Sequence, residues 1–234
     1  MSEKTCAVVG VGPGNGAAFA RRFAEAGHPV ALCSRSTEFG AQLGAKLPTP
    51  AKAYACDVTD DDAIRSTFAA IPGDLGDVGV LLYNAGSGSF TDPDETSPEQ
   101  LEQAWRINVR GLFVATQAVL PAMRAAGGGS IVITGATASL RGGVKTTAFA
   151  QAKAAQRSLA QSLAKHLGPE KIHVSLLIVD GMVDLPRTRA VMPKAPDDFF
   201  LKPADIATTA YALATQASSA WTFEAVVRPF GEKW

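Results

Sequence analysis

Short apolar runs alternate along the chain with longer amphipathic or alanine-rich stretches. The apolar runs predict strands at Cys6–Val11, Val30–Cys33, Lys52–Cys56, Val78–Leu82, Ser130–Thr134, His173–Val179 and Ala225–Arg228. Most lack strict alternation, which marks strands buried on both faces of a parallel sheet. The stretches between them predict helices at Asn15–Ala26, Thr37–Leu47, Asp60–Ala70, Pro98–Arg124, Thr146–Leu167 and Pro203–Gln216. A repeated β-α-β order predicts an α/β fold: a doubly wound parallel sheet of about seven strands with helices on both faces. Neither a repeat nor a linker interrupts 1–234, so one domain is expected.

The helix from Pro98 has a legible start. Ser97 caps it, Pro98 fits the first turn and Gln100 completes a capping box. Its apolar face reads Leu101, Trp105, Leu112 and Val119, and Asn108 falls on that same face. A polar residue there needs a partner. Asp180–Leu201 is rich in proline and charge and follows a late strand. Ligands of such folds bind beyond the carboxyl ends of strands, so the segment 180–202 is expected to cover a site.

Composition agrees with a large core: 47% of residues are hydrophobic and 19% charged. The 22 basic and 22 acidic residues balance, and no basic run points to nucleic acid or an anionic membrane. No window approaches the ~18 uninterrupted apolar residues of a membrane span. The first ten residues, MSEKTCAVVG, have no long apolar stretch of the signal-peptide type. Cys6, Cys33 and Cys56 form no C-x-x-C pair and each sits in a strand-like run. They read as buried core thiols of a cytoplasmic protein. His173, inside a strand, reads as core, and no metal site is expected.

The first strand runs into VGVGPGNG, where Gly10, Gly12, Gly14 and Gly16 crowd the turn into a helix. Glycine suits positive φ and close approach of a phosphate, and the following helix points free N–H groups at that anion. Strand, glycine turn and helix together predict a dinucleotide pyrophosphate site. The second strand ends VALCSRS, with Ser34 where an NAD site usually places an acid, and Arg35 next. A guanidinium grips a 2′-phosphate with forked hydrogen bonds, whereas a carboxylate would repel it. NADP(H) is therefore expected, with NAD(H) the second choice.

These residues resemble the short-chain dehydrogenase/reductase family over nearly the whole chain. Gly10, Gly14 and Gly16 are similar to its G-x-x-x-G-x-G loop, and Asp57 to its adenine-contacting Asp. Asn84-Ala85-Gly86 is similar to its N-A-G, with Tyr83 in place of a preceding Asn, and Asn108 in INVRG to its structural and catalytic Asn. The resemblance implies a Rossmann-type fold. It also implies a cofactor set that includes Asn15 and Val58, and pairing into a homodimer or homotetramer through helices 98–124 and 146–167. Lys153 matches the family's Lys, which binds ribose and lowers the pKa of a catalytic Tyr.

That Tyr and the family's Ser are absent: Phe149 and Ala136 stand at their positions. Phenylalanine has no proton to transfer, and loss of a general acid costs ~10²–10⁴ in rate. Thr134, Thr137, Lys145, Asp180 and Asp184 are the polar residues available nearby, Asp180 and Thr137 being the candidate substitutes. Tyr83 is placed near the adenine side. Three readings stay open: an atypical NADPH-dependent reductase of a small carbonyl, enone or imine, a degenerate cofactor-binding protein, and a non-redox enzyme using the aspartates. The C-terminal Trp221 and Trp234 are open to core, interface or site.

Overall fold

Each predicted apolar run forms a strand in the computed structural model, which describes residues 4–87 and 90–231. β1 (Thr5–Val9), β2 (Val30–Ser34), β3 (Ala51–Ala55), β4 (Val78–Tyr83), β5 (Gly129–Ala136), β6 (Ile172–Val179) and a last strand (Glu224–Val227) build one sheet. Its spatial order is β3-β2-β1-β4-β5-β6-last, and every neighbouring pair is parallel. The order reverses between β1 and β4, which opens a crevice at their carboxyl ends.

The strands are buried on both sides, as their unbroken apolar runs require. Ala7 and Val9 face one cluster with Ala31 and Cys33, while Cys6 and Val8 face the other with Val30 and Leu32. The first face is covered by α3 (Asp61–Leu75), α5 (Gly111–Ala125) and α6 (Thr147–Leu167). α1 (Asn15–Glu25), α2 (Glu38–Gly44) and a C-terminal helix (Pro203–Ala214) cover the second. Cys6, Cys33 and Cys56 are all buried and free. Burial pushes the Cys6 and Cys33 thiols well above their ordinary value. Among the described residues no helix is long and apolar enough to cross a membrane.

Several elements differ from the sequence pattern. The helix expected to end at Ala70 continues to Leu75 through Pro72, because Ile71 is fully buried and Leu75 packs on the same core. The single helix expected over Pro98–Arg124 is α4 (Pro98–Trp105), a π-helical turn (Arg106–Arg110) and α5. Its start is as read: Ser97 and Gln100 form the capping box. Trp105 is not on the buried face; it is exposed, and Ala104 turns inward against Ala148 and Ala152 of α6. The helix expected from Thr146 begins at Thr147, and Lys145 before it is exposed.

The excursion after β6 is ordered. β7 (Met182–Val183) pairs with β8 (Phe200–Leu201), and α7 (Pro186–Val191) lies between them; in chain order the C-terminal helix is therefore α8 and the last strand β9. Trp221 stacks on His173, with ring centroids 4.7 Å apart, near the start of β6 and away from the crevice. Trp234 lies outside the described residues.

Tyr83 is fully buried under α5, and its hydroxyl donates to the Ile107 carbonyl at 2.5 Å. β4 turns it into the core, close to Val58 of the cavity lining, with its proton committed to that carbonyl. A Cβ added at Gly111 would lie 2.5 Å from the Tyr83 hydroxyl oxygen and 2.6 Å from the Val58 carbonyl. Because the carbonyl is backbone, the chain must shift, and overpacking of this kind costs ~1–3 kcal/mol. Gly111→Ala is thus expected to lower stability by about 1–2 kcal/mol, net of the better helix propensity of alanine. A urea midpoint that rises instead would contradict this packing.

Candidate functional site

The crevice begins at the turn after β1. Gly10 has φ +91°, and a Cβ there would lie 2.5 Å from the Ala85 amide nitrogen. Two chain segments therefore meet backbone to backbone, which only glycine allows. The Asn84 side chain seals the contact by donating to the Gly10 carbonyl at 2.9 Å, and the Asn84 N–H donates to Val9. A Cβ at Gly16 would strike the Gly10 carbonyl at 2.6 Å, so α1 also starts tight against the turn. Gly12, by contrast, borders open space, and Gly14 lies under the Leu185 side chain from the excursion. Asn15 opens α1 with its side-chain oxygen buried and without a hydrogen-bond partner.

A cavity of about 440 Å³ runs from this turn, a size typical of ligand sites. At one end it is lined by Ser34, the last residue of β2, by Arg35 next to it, and by Asp57 and Val58 after β3. Arg35 is exposed there. The Thr59 backbone N–H and hydroxyl both donate to the Asp57 carboxylate, at 2.9 and 2.8 Å. Those bonds, with a smaller contribution from Arg35, hold its pKa below the ordinary value. Asn84, Ala85 and Gly86 form the floor towards the other end.

Beyond Gly86 stand Asn108 and Lys153, both buried. The Asn108 amide nitrogen donates to the Ala104 carbonyl at 2.9 Å and to the Ser87 hydroxyl at 3.3 Å. Its side-chain oxygen has no partner. The Lys153 ammonium donates to the Thr134 carbonyl at 2.8 Å and to the Gln156 side-chain oxygen at 2.9 Å. A Cβ placed on Gly86 would be 3.4 Å from the Asn108 oxygen and 3.6 Å from Lys153 Nζ. An unpaired acceptor and a cationic donor thus border one glycine of the cavity floor, an arrangement complementary to neighbouring sugar hydroxyls. With Asn15 and Arg35, these groups fit a nicotinamide dinucleotide.

At the next strand ends the polar groups are already engaged. The Thr137 hydroxyl donates to Asp180 at 2.5 Å, and Arg228 donates to the other carboxylate oxygen at 2.8 Å. Arg141 lies 3.9 Å away. Asp184 is clamped by two hydrogen bonds from Arg189, at 2.7 and 2.9 Å, which lower its pKa. The Ala136 N–H is taken up by the Ser139 hydroxyl at 3.1 Å. Phe149 is half-buried and packs against Phe90, with ring centroids 5.5 Å apart.

Gln156 and Arg228 were not singled out in the sequence. A signal for Gln156 existed: it lies three residues after Lys153 on the face that carries Ala148, Ala152 and Ala160. A large amide among alanines on a buried face needs partners at both ends. Arg228 carried none, because its partner Asp180 lies 48 residues away.

Burial lowers the Lys153 pKa from 10.5 to about 7. Between those values the unfolded chain binds the extra proton, so this group adds stability as pH rises. The full effect is on the order of 5 kcal/mol. Urea melts of the parent chain and Lys153→Met are therefore expected to diverge from pH 7 to 10, the parent gaining several kcal/mol. A constant difference across that range would place the ammonium in water.

The chain is similar to known proteins over most of its length. The sequence profile of the family described as short chain dehydrogenase matches residues 4–195. An oxidoreductase of Sarocladium schorii is 31% identical over 177 residues, covering 76% of this chain and 71% of that protein. A metagenomic short-chain oxidoreductase solved with NADP superposes with a TM-score of 0.82 at 27% identity, covering 97% of each chain. A 7α-hydroxysteroid dehydrogenase solved with NADH gives 0.85 at 25% identity, covering 98% of this chain and 94% of that one.

Proposed function

Since the chain belongs to the short-chain dehydrogenase family, we propose that it is an NADP(H)-dependent oxidoreductase with an atypical active site. The observation that carries this reading is that Lys153 Nζ and the unsatisfied Asn108 oxygen both lie beside Gly86, which lines the same cavity as Arg35. Asn15 and the glycine turn, Gly10 to Gly16, would hold the pyrophosphate. Ser34 and Arg35 would take the 2′-phosphate, and Asp57 and Val58 the adenine side. Asn84, Ala85 and Gly86 would floor the site, with Lys153 and Asn108 at the nicotinamide ribose. A bound nicotinamide supplies or accepts the hydride.

The protein's own contribution is orientation. Phe149 has no acidic proton, the Thr137 hydroxyl donates to one Asp180 oxygen, and Arg228 donates to the other. Neither Thr137 nor Asp180 is then a free acid, and water entering the cavity would deliver the proton. The substrate is a small molecule with a carbonyl, enone or imine group, and the 180–202 segment would cover it. A second reading, a cofactor-holding protein without turnover, is favoured by Phe149 and Ala136 alone. We place the protein in the cytoplasm as one domain. We expect a homodimer or homotetramer through helices 98–124 and 146–167, where Trp105 and Phe113 are exposed.

Arg35→Ala is expected to weaken NADPH binding roughly tenfold or more while NADH affinity moves less than about twofold, by nucleotide fluorescence titration. Parent protein that prefers NADH would overturn the choice of cofactor. The double variant Phe149→Tyr, Ala136→Ser is expected to gain ketone reduction by ~10²-fold or more. If both chains bind NADPH and neither reduces any of a panel of carbonyls and imines, the second reading replaces the first.

A further inference from the structure

Gln156 is wholly buried in α6, yet both ends of its amide are used. Its oxygen accepts from Lys153 Nζ at 2.9 Å, and its nitrogen donates to the Asn108 main-chain carbonyl at 2.7 Å. The orientation of the amide is fixed by chemistry: an ammonium only donates and a carbonyl only accepts. That carbonyl belongs to the π-helical turn Arg106–Arg110. The amide therefore bridges the lysine on α6 to the turn between α4 and α5.

The bridge determines where the Lys153 nitrogen can act. One donor position is spent on the Thr134 carbonyl of β5 and one on Gln156. The remaining position is bordered by Gly86, whose added Cβ would sit 3.6 Å from Nζ. Lysine has a flexible stem with three rotatable donors and shifts readily among partners. Two fixed carbonyl acceptors from different elements remove that freedom. The same bridge holds the π turn in place, and with it Asn108, whose unpaired oxygen borders Gly86 as well.

We propose that Gln156 is a positioning residue: it aims the Lys153 amine and the Asn108 oxygen together at the sugar on the nicotinamide side of the cavity. This rests on the cofactor reading above. Gln156 does not itself line the cavity and acts through its two neighbours.

The test compares two probes. NADPH reaches both ends of the cavity, whereas adenosine 2′,5′-bisphosphate lacks the nicotinamide ribose. Gln156→Met keeps the volume and removes both hydrogen bonds. Its NADPH dissociation constant is expected to rise about tenfold or more, while that for the bisphosphate stays within about twofold, an effect of charge-assisted bonds lost at one end only. Gln156→Glu keeps an acceptor for Lys153 and is expected to bind NADPH more tightly than Gln156→Met. Bisphosphate binding also reports that each variant is folded. Equal loss of both ligands would make Gln156 a packing residue, and no loss of either would remove its role; each result overturns the proposal. Parent protein that binds the bisphosphate but not NADPH would instead overturn the cofactor reading on which it stands.

Discussion

The close approach of Gly10 to the Asn84–Ala85 backbone is the constraint on which the site depends. Adding one carbon at Gly10 would place it within 2.8 Å of three backbone atoms. That contact locks the turn after β1 to the turn after β4, at the point where the strand order reverses. Arg35 and Asp57 are carried to one side of it by β2 and β3, and Asn108 and Lys153 to the other by helices that cover β4 and β5. The hydrogen bond from Asn84 to the Gly10 carbonyl makes the contact polar as well as steric. A cavity lined by groups far apart in sequence is the consequence.

The groups around the cavity and the cluster at Asp180 differ in what they leave unsatisfied. On the side of Asn15, Asn108 and Lys153, buried polar atoms lack partners or have donor capacity to spare. Around Asp180, the ends of β5, β6 and β9 contribute Thr137, Asp180 and Arg228 to one set of ion pairs and hydrogen bonds. Buried polar groups left open mark where a ligand completes the structure. A closed cluster marks where the chain is already complete.

Much of this was legible in the sequence, and the exceptions have physical reasons. Strands buried on both faces announce themselves as apolar runs, and the glycine turn does so through steric need. The Ser97 capping box is local and was readable. The π turn was not, because Arg106–Arg110 is composed of ordinary helix residues and the side chain that bonds its Asn108 carbonyl, Gln156, is 48 residues away. Trp105 was misread for the same reason, and the carbonyl partner of the buried Tyr83 phenol was not readable because the fold supplies it. The Asp180–Arg228 pair joins two strand ends that only the sheet order makes neighbours. Local chemistry was visible, while partners supplied by the fold were not.

The π turn has a consequence for the helical run as a whole. An α-helix advances ~100° per residue, so a turn that takes in one extra residue rotates everything beyond it by that amount. The stripe that α4 presents to α6 through Leu101 and Ala104 is therefore out of phase with the stripe that α5 presents to the sheet through Leu112, Ala115 and Val119. A single straight helix could satisfy only one of these surfaces. The turn works as a phase shifter between two packing layers, and Asn108 sits at the point of the shift. Residue count between Trp105 and Gly111, as much as residue identity, is what lets one length of helix serve both neighbours.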